Sequence, residues 1–267
     1  MCDIIVPESE ISDLEEAMFS LGHFIWLGAI GITIALALIT TKKLALSHRT
    51  VGRAVMMILI VLKFFHMSLS MKESAFGGYV LDQTQLSFHL CSLMIYSTIL
   101  VNSITNQKII ATLKSFMVPC LLLGATMALL IPTEGVDPTH LRVWQYMLIH
   151  GMLVFYGIYL AVREKVDLSF KAYRSNLKML LGVTLLAFLM NSVLEQYETN
   201  FLFLRVPPME NLPLLNLHNG WGVYFLTLAA IACTLLLLIH LPFIVSDTLR
   251  RRKMAKRTEA LEDNYIG

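Results

Sequence analysis

The feature that most constrains the fold of this chain is a series of seven apolar runs, each about 20 residues long. They lie at residues 18–40, 50–70, 86–104, 108–131, 141–162, 176–195 and 220–245. A helix of this length crosses a hydrocarbon layer about 30 Å thick. Charged residues make up only 15% of the chain, which is typical of helical membrane proteins. The sequence therefore predicts an all-α polytopic membrane protein with a single bundle of about seven transmembrane helices.

Basic residues are concentrated at one end of alternate runs. Seventeen of the 21 Lys and Arg residues follow the first, third, fifth and seventh runs. By the positive-inside rule, this predicts a multi-pass plasma-membrane protein with its N-terminus outside and its C-terminus in the cytoplasm. The net charge of +2 is then a topology signal, and no nucleic-acid partner is expected.

The chain is expected to have three parts. They are an acidic N-terminal segment that could lie at the interface (residues 1–17), the transmembrane helical bundle (residues 18–245) and a basic cytoplasmic tail (residues 246–267).

Polar side chains within the runs gather in the outer half of the predicted bundle. Ionisable groups are costly in hydrocarbon, so such residues often mark functional sites. Helical spacing and depth predict one water-accessible cavity lined by His66, Cys91, Tyr146, His150, Asn191 and Glu195. Lys63 is a further candidate for this site, or it could form a structural ion pair with Glu195. His89 lies about 200° from Cys91 around a regular helix, so both face the cavity only if the helix is still starting there.

Cys91 is the candidate nucleophile of this cavity. We expect it about one and a half turns into the third span, near a helix N-terminus that favours an anion such as a thiolate. His150 lies at a matching depth and is the candidate acid and base, with His66 in reserve, as in cysteine acyl transfer. Tyr146 could orient the imidazole, as could the polar pair on the sixth span. A lone membrane cysteine is more often a packing residue, so the hypothesis rests on the convergence of several polar groups.

The other cysteines and the histidines have no spacing typical of a metal site or a disulfide framework. Cys120 and Cys233 lie in apolar surroundings and are interpreted as packing residues, and no disulfide framework is expected. His66, Cys91 and His150 are ligand types that suit zinc, but no close-spaced ligand pair supports such a site. We therefore expect no metal and no cofactor.

The loop between the sixth and seventh runs, residues 197–220, has an unusual composition. It contains Pro207, Pro208 and Pro213, yet it also carries the apolar stretch 201–204. A solvated loop is rarely so apolar. We expect it to fold back over the mouth of the bundle as a lid or a re-entrant segment, with its backbone buried in protein or facing water.

Three stretches carry a resemblance to a known family. They are residues 86–93 (LSFHLCSL), residues 142–151 (RVWQY leading to His-Gly) and residues 200–221 (NFLFL, then Pro207 and Gly220-Trp221). Together they resemble the YwaF-type integral membrane family of bacteria, which is similar to an animal transmembrane acyltransferase that remodels ether phospholipids through a cysteine and a histidine. The resemblance covers about residues 20–245. It implies the cysteine role for Cys91 and the histidine role for His150, and it adds Asn200 to the supporting residues.

Two classes of function fit this sequence. The first is a membrane-embedded acyltransferase or lipid thioesterase that acts on phospholipid acyl chains, with a phospholipid or lysophospholipid as its substrate. The alternative is a small-solute or lipid transporter whose outward-facing cavity binds its substrate through Lys63, His66 and Glu195. No inverted repeat and no pair of Gly/Pro-broken spans supports the transporter.

Overall fold

The computed structural model describes residues 19–73, 78–86, 88–208 and 214–266. Within these ranges the α-helices are α1 (Leu21–Lys43), α2 (His48–Leu69), α3 (Leu90–Ser103), α4 (Gln107–Leu130), α5 (Leu141–Val162), α6 (Phe170–Val193) and α7 (Trp221–Ile266). A two-stranded antiparallel hairpin, β1 (Met71–Glu73) and β2 (Tyr79–Leu81), joins α2 to a 3-10 turn at Gln83–Gln85. Two more 3-10 turns, Glu195–Tyr197 and Phe201–Phe203, follow α6. The expected acidic segment, Ser87, Pro213 and the side chains of the tail beyond residue 254 lie outside the described residues.

Six of these helices are long and apolar enough to cross a membrane: α1, α2, α4, α5, α6 and the Trp221–Arg250 part of α7. Their composition explains why they form helices, because hydrocarbon offers no partner for a backbone N–H or C=O and a helix satisfies both internally. The prediction of a mostly helical, multi-pass membrane protein is therefore confirmed. The orientation of the termini stays a prediction.

The third predicted span differs from the expectation. Only Leu90–Ser103, 14 residues, is helical, which corresponds to roughly 21 Å of rise. The preceding chain forms the hairpin and a 3-10 turn that the Asp82 carboxylate caps by accepting a hydrogen bond from the Thr84 N–H at 3.0 Å. Polar turn-forming residues such as Asp82 favour this conformation over a helix. Non-helical backbone is tolerated at membrane depth where it lines a cavity or is buried in protein.

Helix α5 is the centre of the bundle. It contacts α1, α2, α3 and α4, and Met147, Leu153, Tyr156 and Leu160 along it are fully buried. Helices α1 and α7 are largely exposed and apolar, as expected of helices that face lipid. A residue on α5 is therefore held from several sides, which suits a side chain that must keep one position.

A glycine on α5 allows its close approach to α4. A Cβ added at Gly157 would lie 2.9 Å from Leu121 Cβ and 3.2 Å from Leu122. Small residues of this kind let membrane helices pack tightly. Gly182 on α6 is a matched control, because a Cβ added there meets nothing within 4 Å.

We expect Gly157→Ala to destabilise the protein by about 1–3 kcal/mol, because α4 and α5 must separate to admit the methyl group. Gly182→Ala should be neutral or stabilising, since alanine is the better helix former. Thermal unfolding in detergent would measure both variants. Equal melting temperatures for the two variants would contradict the close packing of α4 and α5.

Candidate active site

A cavity of about 470 Å³ lies at one end of the bundle, between α2, α3, α4 and α5. It is formed where α2 and α4 end and where α3 and α5 begin. Lys108, in the first turn of α4, and the basic residues that follow α5 lie at the opposite ends of those helices. Six of the nine predicted site residues line the cavity: Lys63, His66, His89, Cys91, Tyr146 and His150. The volume is within the range of small-molecule sites.

Cys91 is the second residue of α3. The expectation that it lies one and a half turns into a helix is wrong, because the helix begins at Leu90 and Cys91 is in its first turn. His89 occupies the N-cap position without capping through its side chain, and the first backbone bond of the helix runs from Leu93 N–H to His89 C=O at 3.0 Å. The N–H groups before Leu93 therefore have no carbonyl acceptor within α3. This end of a helix favours negative charge.

The start of α3 also explains how His89 and Cys91 share one cavity. Because His89 precedes the helix and Cys91 is inside it, the 200° separation of a regular helix does not apply. The His89 ring packs against Phe201 and Phe203, with ring centroids 5.4 and 5.6 Å apart. On the other side, Gly124 of α4 faces Cys91, and a methyl group there would lie 3.9 Å from Cys91 Sγ.

His150 is held in one tautomer by its own helix. Its Nδ1–H donates to the Tyr146 carbonyl one turn earlier at 2.7 Å, and the two rings lie with centroids 4.2 Å apart. The Tyr146 O–H in turn donates to the Ala128 carbonyl of α4 at 2.8 Å. His150 Nε2 has no hydrogen-bond partner among the described residues, and it is the nitrogen that can accept a proton.

Two further polar pairs join α2 to the walls of the cavity. His66 Nδ1–H donates to Gln145 Oε1 of α5 at 3.2 Å. Lys63 Nζ donates to Ser92 Oγ of α3 at 3.2 Å. Gln145 and Ser92 were not predicted as site residues. Gln145 directly precedes Tyr146 and Ser92 directly follows Cys91, both of which were predicted. The signal that would have found them is a polar side chain within an apolar run beside another polar residue.

Asn191, Glu195 and Asn200 do not line the cavity. Helix α6 ends at Val193, so the helical phase that joined Asn191 to Glu195 does not continue. Glu195 is exposed and pairs with Arg205 at 2.7 Å. The structural ion pair expected between Lys63 and Glu195 is therefore wrong.

The two asparagines instead shape the segment after α6. Asn191 accepts from the Phe201 N–H at 2.7 Å and donates to the Phe201 carbonyl at 3.1 Å. Asn200 donates to the Val206 carbonyl at 2.8 Å and accepts from the Arg205 N–H at 3.0 Å. Both side chains therefore bind the backbone of the segment that follows α6.

The segment that follows α6 covers the cavity. Phe201 is fully buried, while Leu202, Phe203 and Pro208 line the cavity. Leu202 and Phe203 have φ values of 57° and 55°, a left-handed conformation that costs about 1–2 kcal/mol per residue. Hydrogen bonds from the side chains of α7 hold this backbone, because Tyr224 O–H donates to the Phe203 carbonyl and Trp221 Nε1–H donates to the Leu204 carbonyl. Part of the segment 197–220, which was predicted to be a lid or a re-entrant segment, therefore lines the cavity. Its role as a lid stays a prediction.

An acidic residue stands at the rim of the cavity. Glu134, in the connection between α4 and α5, lies 3.2 Å from Arg142 Nε. Burial raises the pKa of the Glu134 carboxyl, and the Arg142 charge opposes this effect. Glu134 is the one carboxylate among the described residues of the cavity wall, and its charge is already matched by Arg142.

The other cysteines that the structure describes lie apart from the cavity, and the described histidines of its wall do not form a metal site. Cys120 is buried in the core, as expected of a packing residue, whereas Cys233 is exposed on α7. In the part of the chain that the structure describes, no group of three or more His, Cys, Asp or Glu side chains is arranged to hold a metal ion. A zinc site made of His66, Cys91 and His150 has no geometric support.

Comparison with known proteins identifies the family. No curated protein and no solved structure matches the chain. The likeness to the bacterial YwaF-type family stays a prediction. A model of the TMEM164 family matches residues 18–240, which include all of the cavity. The chain therefore belongs to the TMEM164 family.

Proposed function

We propose that this protein is a membrane-embedded acyltransferase or lipid thioesterase that acts on phospholipid acyl chains, with Cys91 as nucleophile and His150 as acid and base. One observation carries the proposal. A thiol in the first turn of α3, which has no side-chain cap, and an imidazole with a free Nε2 line the same cavity. This is the combination of groups that cysteine acyl transfer needs.

In the first half of the reaction, His150 Nε2 takes the proton of Cys91 Sγ, and the thiolate adds to the carbonyl carbon of a phospholipid ester. The C–S bond forms while the electron pair of the carbonyl π bond moves to oxygen. When this intermediate collapses, the C=O bond re-forms and the C–O bond to glycerol breaks. The imidazolium returns its proton to the leaving alkoxide, so Cys91 carries the acyl chain as a thioester.

In the second half, an acceptor hydroxyl removes the acyl chain. His150 takes the proton of a lysophospholipid hydroxyl, for transfer, or of water, for hydrolysis. The new C–O bond forms as the C–S bond breaks, and the proton returns to the thiolate. The fixed tautomer of His150 suits both halves, because the same Nε2 atom accepts and returns each proton.

The family and the surroundings of the cavity support this reading. Membership of the TMEM164 family is compatible with a membrane acyltransferase, in line with the resemblance to an animal transmembrane acyltransferase. The distribution of basic residues favours a cavity that opens to the outer leaflet of the plasma membrane. The alternative, a transporter, needed Glu195 beside Lys63 and His66, and Glu195 lies outside the cavity.

The test is the mass of the intact protein after incubation with phospholipid vesicles. We expect an increase equal to one acyl chain, located on Cys91 by peptide mapping and removed by hydroxylamine, which cleaves thioesters. Addition of lysophospholipid should discharge it if the protein is a transferase, and water alone should do so if it is a thioesterase. Absence of any adduct on Cys91, together with binding or movement of lipid across the vesicle, would favour the transporter instead.

A further inference from the structure

Lys63 carries a buried charge that has no acidic partner in the cavity. Its side chain lines the cavity and is 7% exposed. It forms no ion pair with any carboxylate of the described residues, and Glu134 is already matched by Arg142. Burying an uncompensated ammonium group in a membrane protein is costly, so such a residue is expected to serve a function.

The hydrogen bond of Lys63 determines what Ser92 can do. Because an ammonium group can only donate, Ser92 Oγ must accept the bond at 3.2 Å. The proton of the Ser92 hydroxyl is then free to be donated elsewhere. It has no acceptor among the described residues.

Other hydroxyl groups of this bundle behave differently. The hydroxyls of Ser68, Thr98 and Thr184 donate to the carbonyl four residues earlier, at 2.8–3.0 Å. Ser92 is the third residue of α3, so the carbonyl four residues before it lies outside the helix. The Ser92 hydroxyl therefore donates its proton neither to a carbonyl of the helix nor to Lys63. The side chain lines the cavity next to Cys91.

We propose that Ser92 is a further catalytic residue, whose hydroxyl forms an oxyanion hole together with the N–H groups in the first turn of α3 that bond no carbonyl, and that Lys63 is its positioning residue. The inference rests on the proposed function. When the Cys91 thiolate adds to an ester carbonyl, the oxygen gains a full negative charge. Donors already fixed around it stabilise that charge in a site from which water is largely excluded.

Two reactions of the same thiol separate this role from a structural one. Acylation by a phospholipid builds an oxyanion, whereas alkylation by iodoacetamide is a displacement at a saturated carbon and builds none. We expect Ser92→Ala to slow acylation of Cys91 by about 10²-fold, the cost of one oxyanion-hole donor, and to leave the alkylation rate unchanged. Ser92→Thr, which keeps a hydroxyl, should restore most of the acylation rate.

Lys63→Met tests the positioning role in the same assay. It should slow acylation and leave alkylation unchanged, because it releases the Ser92 hydroxyl. Ser192→Ala is the matched control, since Ser192 donates to the Phe188 carbonyl of its own helix and lies away from the cavity. It should leave both rates unchanged.

The outcomes distinguish this inference from the proposed function. If wild-type protein forms no thioester on Cys91, both are overturned. If the thioester forms and Ser92→Ala acylates at the wild-type rate, only the oxyanion hole is overturned. Equal losses of acylation and alkylation in Ser92→Ala would assign Ser92 to the packing of α3, and equal losses in Lys63→Met would assign Lys63 to the stability of the thiolate.

Discussion

Replacing Cys91 with alanine is expected to abolish both the acyl adduct and the turnover of phospholipid acyl chains. The loss should be on the order of 10⁶-fold, the scale seen when a covalent nucleophile is removed from a hydrolase. Since Cys91 is only half-buried in the cavity wall, the smaller side chain should leave the fold intact. Release of labelled acyl chains from vesicles, measured with purified protein, gives the readout.

Cys120→Ala is the control for this experiment. Cys120 is a second thiol of the bundle, but it is buried in the apolar core and does not line the cavity. This variant should retain turnover and the adduct, with a modest loss of stability from the small cavity it creates. Turnover that survives in Cys91→Ala and fails in Cys120→Ala would reverse the assignment of the nucleophile.

Replacing His150 with alanine should slow turnover by about 10²–10⁴-fold, the usual contribution of a general acid and base. Unlike Ser92→Ala, it should also slow alkylation by iodoacetamide at neutral pH, because the thiol loses the base that removes its proton. Alkylation at high pH, where the thiol ionises without help, should approach the wild-type rate. The measurement is the rate of mass increase over a range of pH values.

His140→Ala is the matched control for His150. His140 precedes the first residue of the same helix, α5, and is exposed, with Asp137 as its partner at 3.4 Å. It should leave turnover and alkylation unchanged. A His150→Ala variant that alkylates at the wild-type rate across the whole pH range would remove His150 as the base, and His66 would become the next candidate.

The parts of this fold that the sequence predicts are those that the bilayer dictates. Hydrocarbon forces an apolar run of sufficient length into a helix, so six helices could be read directly from the sequence. Helix α3 is the exception, because its late start depends on the hairpin and on the cap at Asp82 rather than on hydropathy. Those are tertiary and turn effects, which a hydropathy pattern does not contain.

The same distinction separates the predicted residues that line the cavity from those that do not. Depth within a span placed Cys91 and His150 at one level, and both line the cavity, because regular helices keep a fixed rise. Helical phase wrongly predicted that Glu195 lines the cavity, because α6 ends at Val193 and the helical spacing does not continue to residue 195. Ser92 was not predicted because its contact with Lys63 joins residues that are 29 positions apart in the sequence.

The shortness of α3 has a consequence for how a lipid would meet this protein. If the far end of α3 reaches the boundary of the hydrocarbon layer, a helix of 14 residues ends roughly 9 Å below the opposite boundary of a layer about 30 Å thick. The esters of bilayer lipids lie near that boundary, above Cys91. A lipid must therefore sink, or the leaflet around the protein must thin, before the two can meet. Bilayer thickness would then influence the reaction rate.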